Sequence, residues 1–188
     1  MQAFFIGDSL TLGVGDPTMR GWPGRVAAGL GRELFSAYNL GVRANTSVLM
    51  AERFAPEVAA RRMAEELVFV FCFGTADTVR EVAPEASDAA ARSLFEQARA
   101  LGEAFFMTPP PVADQGRNYA VGKIGQRMAA IAREMGVPVL DAHEALAGNE
   151  AFLDSLRQND GIHPGPEGYD AWAGVVAAWP ELLAALSR

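Results

Sequence analysis

"LVFVFCF", residues 67–73, is an apolar run without polar alternation that stops at Gly74. It is too short for a helix, and a strand whose two faces are both apolar belongs in the middle of a parallel sheet covered on both sides. Working outward from it, shorter apolar runs predict further strands at 3–6, 37–40, 103–107 and 137–140. Between them the period lengthens. In "YAVGKIGQRMAAIAREMG", residues 119–136, Val121, Ile124, Met128, Ile131 and Met135 recur three and four apart, and Gly136 supplies the stop. "PEASDAAARSLFEQARALG", residues 84–102, follows the proline-first, glycine-last asymmetry of helices. Residues 22–35 predict a glycine-weakened helix. Pro56 is expected to split the segment 47–64 in two. A helix led by Pro166 should stop before Pro180, with a last helical turn near 182–186. Strands alternating with helices predict an α/β fold: one domain over residues 1–188, a three-layer α/β/α sandwich on a parallel five-stranded sheet with right-handed crossovers.

Bulk composition narrows the partners. At 188 residues, half of them apolar, the chain can bury a full core. A net charge of −7 speaks against nucleic acid or an anionic membrane surface, since each needs a basic face. A neutral or small substrate fits better. The one cysteine, Cys72, lies in the central strand run and is expected to be a buried small hydrophobe. No signal-type segment precedes the first strand and no apolar stretch reaches membrane-spanning length, so the expectation is a cytoplasmic chain without stable membrane insertion.

In parallel sheets of this kind ligands bind beyond the carboxyl ends of the strands. After the first strand comes Gly7-Asp8-Ser9. A nucleophilic serine needs an exposed hydroxyl on a tight turn, and a flanking glycine lets the backbone bend and a substrate approach. Taken alone the tripeptide is equally an ordinary turn and helix cap. "NDGIHPGPEG", residues 159–168, changes the weighting, because Asp160 and His163, one of only two histidines, stand three apart in a glycine- and proline-marked loop. A histidine can take the serine proton while an acid fixes its tautomer. The alternative for the pair is a turn aspartate and a packed helix-entry histidine. No Gly-x-Ser-x-Gly elbow is present, which disfavours the α/β-hydrolase fold.

"IGDSL", "NLGVRANTS", "FGTAD" and "DGIHP" follow one another along almost the whole chain, and together they resemble the GDSL, or SGNH, family of esterases and acylhydrolases. The resemblance implies a flavodoxin-like SGNH hydrolase fold and serine-dependent hydrolysis of esters. Members act on lipid, acetylated-sugar or thioester substrates. It implies Ser9 as nucleophile, His163 as general base and Asp160 as the residue orienting it. The oxyanion would be held by the backbone N–H of Ser9, the N–H of Ala44, and the position of Ala76. Two of these depart from the family pattern. Ala44 stands where the family has glycine; alanine keeps the N–H, and fits if the local φ is negative. In the third block Gly-x-Asn-Asp becomes Gly74-Thr75-Ala76-Asp77, and the alanine has no side-chain donor. Asn45, Thr75 and Thr78 are the neighbours by spacing that would fill the gap.

Other residues carry plainer readings. Asp8 and Asp77 are expected to accept backbone N–H bonds that hold the serine loop and the loop after strand three. His143 has the setting of a helix start. "GVGDPTMRG", residues 13–21, lacks the ending of a phosphate loop. "TPPPVADQGRN", residues 108–118, reads as a stiff loop beside the site that shapes its acyl or leaving-group pocket. Arg43 reads as a solvated side chain, with an acidic substrate group as the alternative. Trp22, Trp172 and Trp179 should pack helices onto the sheet. There is no metal-ligand spacing, and neither metal nor cofactor is expected. Two rival functions remain: a binding module for an acylated or carbohydrate ligand that has lost turnover, favoured by Ala76, and a flavin- or phosphate-binding protein of flavodoxin type.

Overall fold

Along β1 (Gln2–Gly7) the side chains alternate between two buried faces, with Ala3 and Phe5 in one core and Phe4 and Ile6 in the other. The central run behaves the same way. In β3 (Leu67–Cys72), Val68, Val70 and Cys72 enter the first core and Phe69 and Phe71 the second. With β2 (Ser36–Gly41), β4 (Glu103–Met107) and β5 (Val139–Leu140) these form one five-stranded sheet in the order β2-β1-β3-β4-β5, every neighbour parallel. The computed structural model describes residues 1–31 and 35–187. β5 starts two residues later than expected because Pro138 has no N–H to give the ladder; its carbonyl still accepts from Phe106 N at 3.0 Å.

Helices cover both faces. On one side lie α3 (Ser47–Ala59), α5 (Pro84–Leu101) and α6 (Gln115–Glu134), which bury Phe54, Leu94, Phe95 and Met128 against the phenylalanines of the sheet. On the other lie α2 (Gly21–Gly29), α9 (Pro166–Ala177) and α10 (Pro180–Leu186). Trp22 meets Phe5 edge-on at 5.3 Å, Trp179 meets Phe105 edge-on at 5.5 Å, and the Trp172 indole N–H reaches Met107 Sδ at 3.2 Å. The three tryptophans thus fasten this layer to the strands, and Cys72 is buried among them as a free thiol.

Two helix expectations need correction. Pro56 does not split its segment: α3 runs through it, because one missing N–H is outweighed by Phe54 and Val58, both 1% exposed, packing on one face either side of it. The helix expected over 22–35 spans only Gly21–Gly29, and its expected continuation through 32–34 lies outside the described residues. Three short helices are additional, α1 (Ser9–Leu12), α4 (Thr75–Val79) and α8 (Glu150–Arg157), while α7 (Ala142–Ala147) is the helix expected to start at His143.

α1 sits directly on the carboxyl ends of β1 and β2, and two glycines make the room. A Cβ on Gly7 would come within 2.0 Å of Thr11 Oγ1 and 2.5 Å of Cys72 O. One on Gly41 would lie 2.1 Å from Leu12 N. The need for glycine before the serine is therefore close packing of the next turn, where the sequence had suggested a backbone bend. Gly41→Ala is expected to lower stability by about 1–3 kcal/mol through overpacking against α1, measured by urea denaturation; an unchanged midpoint would show that the two segments separate freely.

Candidate active site

Asp8 caps α1, its Oδ1 accepting from Leu10 N at 2.9 Å, so Ser9 is the first residue of a helix whose leading N–H groups have no intrahelical acceptor. The loop before α9 brings in His163. Asp160 shapes that loop, its Oδ1 accepting from Ile162 N at 2.9 Å and His163 N at 2.8 Å. The other carboxylate oxygen lies 2.7 Å from His163 Nδ1, and His163 Nε2 lies 2.8 Å from Ser9 Oγ. Asn159 clamps the loop through His163 O at 2.9 Å, and Ala113 N donates to Gly161 O at 2.8 Å. The segment 108–113 is thus a prop for this loop. None of its residues lines the cavity at Ser9, which corrects the expectation that it shapes the pocket.

Protonation follows from these partners. Burial works against the Asp160 charge, but the N–H groups of His163 and Ile162 and the imidazole outweigh it and hold the carboxyl down at about 2. An ionised carboxylate only accepts, so the proton sits on His163 Nδ1 and the Nε2 lone pair faces the Ser9 hydroxyl. This arrangement can draw the hydroxyl proton to the ring. Asp8 behaves oppositely. Burial pushes it up to about 6, against the opposing hydrogen bonds from Leu10 N and, at 3.4 Å, Ala76 N.

A cavity of about 140 Å³ opens above Ser9, lined also by His163, Ala44, Thr75, Ala76 and Ile162. Ala44 stands at φ 54°, in the left-handed region, so the condition set by the sequence is not met and the alanine carries strain of about 1–2 kcal/mol that glycine would avoid. Ala76 presents only a methyl group there, while its N–H is directed to Asp8. Of the neighbours that spacing nominated, the Thr78 hydroxyl alone is seen donating elsewhere. Asn45 Oδ1 accepts from Arg53, the Thr78 hydroxyl donates to Thr75 O at 2.8 Å, and Thr75 Oγ1 is buried with no partner.

Two contacts escaped the sequence reading. Arg53, outside every motif, is a largely covered cation on α3 that donates to Asn45 Oδ1 at 2.6 Å, Leu40 O at 2.7 Å and Gly7 O at 3.2 Å. It ties the ends of β1 and β2 to the Ala44 turn, and its position two helical turns past the cap of α3 was the available signal. Asp77 reaches across to Ser47, accepting from its N–H at 3.0 Å and from its hydroxyl. It therefore binds α4 to α3, a correction to its expected role within its own loop. His143 does stand at a helix start, its N–H donating to Thr108 Oγ1 at 3.0 Å and its ring against Asn118 Oδ1 at 3.1 Å.

A five-stranded parallel sheet with this strand order, flanked by helices on both faces, is the α/β/α fold of SGNH hydrolases. The chain belongs to the GDSL-like lipase/acylhydrolase family, whose model matches residues 5–171, and it is accordingly a GDSL-type esterase acting on ester bonds. Among solved structures it is similar to a G-D-S-L family protein from Desulfitobacterium hafniense DCB-2, with TM-score 0.78, 22% identity, and 94% of this chain and 97% of that one covered. It is also similar to an acetylxylan esterase from Geobacillus stearothermophilus, with TM-score 0.74, 21% identity, and 93% and 91% covered. A member of the G-D-S-L family from Veillonella parvula DSM 2008 gives TM-score 0.73 at 19% identity, over 96% and 98%. No curated protein matches the chain in sequence. Among the described residues no group of three or more His, Cys, Asp or Glu is gathered as for a metal ion, and no helix is long and apolar enough to cross a membrane.

The Asp8 carboxyl predicts a pH dependence of stability. A group whose proton is held more tightly in the folded chain stabilises it fully below the unfolded value of 3.8 and loses that contribution as pH rises through about 6. Relative to Asp8→Asn, the native chain should lose on the order of 3 kcal/mol between about pH 4 and pH 7. Parallel pH slopes for the two proteins in urea denaturation would overturn this.

Proposed function

We propose that the chain hydrolyses small acyl esters through an acyl-serine intermediate. Ser9 Oγ attacks the carbonyl carbon while His163 Nε2 takes its proton, and Asp160 keeps the imidazole oriented and stabilises the charge it gains. The N–H groups of Ser9 and Ala44 receive the oxyanion. The imidazolium then protonates the leaving oxygen, and water repeats the attack to release the acid. The single observation that carries this reading is the unbroken contact line from Asp160 through His163 to Ser9 at 2.7 and 2.8 Å, opening on one cavity. The family membership supports ester bonds as the target.

Size supports a short acyl group. The cavity over Ser9 holds about 140 Å³, while a larger groove of about 510 Å³ runs alongside it past Leu12, Val14 and Met19. Gly15 in that groove packs against Pro164 O and the Cβ of His163, so the groove borders the histidine loop, and a leaving oxygen at the join of groove and cavity would stay within reach of the imidazole that lines the cavity. The acyl group occupies the small cavity and the alcohol the groove. A second reading, a binding module of the same fold with little turnover, rests on Ala76, whose methyl group supplies no donor to the oxyanion.

Kinetics with p-nitrophenyl esters of increasing chain length test both. Acetate to butyrate should be turned over fastest, decanoate at least tenfold slower, and Ser9→Ala should abolish turnover of all; saturable binding without Ser9-dependent turnover would favour the module. An oxyanion donor contributes about 10²–10³ in turnover, so Ala76→Asn should raise kcat at least tenfold. An unchanged or lower kcat would mean that the oxyanion site is already complete.

A further inference from the structure

Two arginines stand at the cavity of Ser9, and neither has a partner. Arg43, beside Ala44, lines both the small cavity and the groove; Arg80, which ends α4, lines the cavity alone. Among the described residues six arginines form ion pairs, Arg25, Arg53, Arg61, Arg92, Arg127 and Arg157, whereas Arg43 and Arg80, like Arg20, Arg62, Arg117 and Arg133, make neither an ion pair nor a side-chain hydrogen bond; of these unpaired cations Arg43 and Arg80 are the two that line the cavity. The acids nearest the cavity are already committed. Both oxygens of Asp8 accept backbone N–H groups, and Asp160 is held by His163.

The surface between these cations is apolar. Of the six large hydrophobic side chains exposed among the described residues, Val79 lines the cavity, Met19 lines the groove and Val42 precedes Arg43. A rim of apolar side chains with two unpaired guanidinium groups matches an ester that carries a negative charge as well as hydrocarbon. Guanidinium meets carboxylate or phosphate through paired, charge-assisted hydrogen bonds, and a cleft lined by one sign of charge concentrates the opposite ion.

We propose that Arg43 and Arg80 recognise an anionic group on the substrate, so that the preferred substrates are negatively charged esters. This deepens the esterase reading and rests on it. The charge belongs to the acyl part if Arg80 dominates, and to the alcohol part if Arg43 dominates, because only Arg43 reaches the groove.

The test compares matched pairs of esters differing in one charge. For the acyl side these are mono-p-nitrophenyl glutarate against p-nitrophenyl butyrate. For the alcohol side they are the butyryl ester of para-hydroxybenzoate against that of its methyl ester. The native protein should show a kcat/KM at least tenfold higher for the anionic member of one pair, falling as salt is raised. In Arg43→Gln/Arg80→Gln the ratio should drop at least fivefold, and Arg80→Glu should invert it if the acyl pair is the one favoured. Ser9-dependent turnover with no preference for charge in either pair, or a preference that survives the double substitution, would overturn this proposal while leaving the esterase reading intact. Absence of Ser9-dependent turnover for every ester would overturn both.

Discussion

The 2.8 Å contact between His163 Nε2 and Ser9 Oγ joins residues 154 positions apart, and each end is held by a separate part of the fold. Ser9 is fixed from below: β1 ends in a glycine, Asp8 caps the turn, and α1 is wedged onto two strand ends where any side chain on Gly7 or Gly41 would collide. His163 is fixed from behind, by the Asp160 turn and by α9. What keeps the two ends in register is a second set of contacts. The Tyr169 hydroxyl on α9 donates to Val14 O at 2.8 Å, and Arg25 bridges Asp16 in the loop after α1 to Asp170 on α9. α9 is thereby locked to the turn that follows the serine, and the short hydrogen bond across the site is the consequence of that docking.

Charge is arranged around the same point. Three buried carboxylates, Asp8, Asp16 and Asp77, surround the strand ends, each satisfied by backbone N–H groups of a neighbouring segment. They act as cross-links between loops, and unlike an apolar contact they fix the direction of the N–H groups they accept. Asp8 also lines the cavity where an oxyanion would form; burial raises its carboxyl to about 6, which neutralises it in mildly acidic solution but leaves it mainly ionised, and opposed to an oxyanion, at neutral pH. Arg53, buried under the Ala44 turn, adds positive charge from the opposite side while holding two strand-end carbonyls.

The sheet was legible because β1, β3 and β4 carry apolar runs, with the shorter runs in β2 and β5 completing the alternation, and the two long helices α5 and α6 because their periodicity and terminal residues agree. The residues gathered over the sheet were legible because chemistry-bearing types cluster at strand ends. Ser9, Ala44, Ala76 and His163 all line one cavity, although their spacing in sequence carries no distances. What stayed hidden is tertiary. Pro56 remains helical only because Phe54 and Val58 are buried around it, and Asp77 turns to Ser47 only because α3 and α4 approach each other. α8 did have a sequence signal, Asn149 accepting from Phe152 N ahead of the buried Phe152 and Leu156, but α1 and α4, at four and five residues, are too short for periodicity to register.

The two alanines illustrate how differently backbone and side-chain donors respond to substitution. A backbone N–H survives any residue that can adopt the required φ and ψ, so exchanging glycine for Ala44 leaves the donor in place and is felt as conformational strain at φ 54°. The turn can bear that strain because Arg53 through Asn45 and Asp77 through Ser47 hold the residues that follow it. A side-chain donor has no such reserve. At Ala76 the methyl group ends where an amide would begin, and the same residue's N–H already faces Asp8, so neither half of the residue is directed to an oxyanion. In the mechanism proposed above, electrostatic stabilisation would therefore fall on the two backbone donors of Ser9 and Ala44, with Arg43 and Arg80 adding positive potential from the rim.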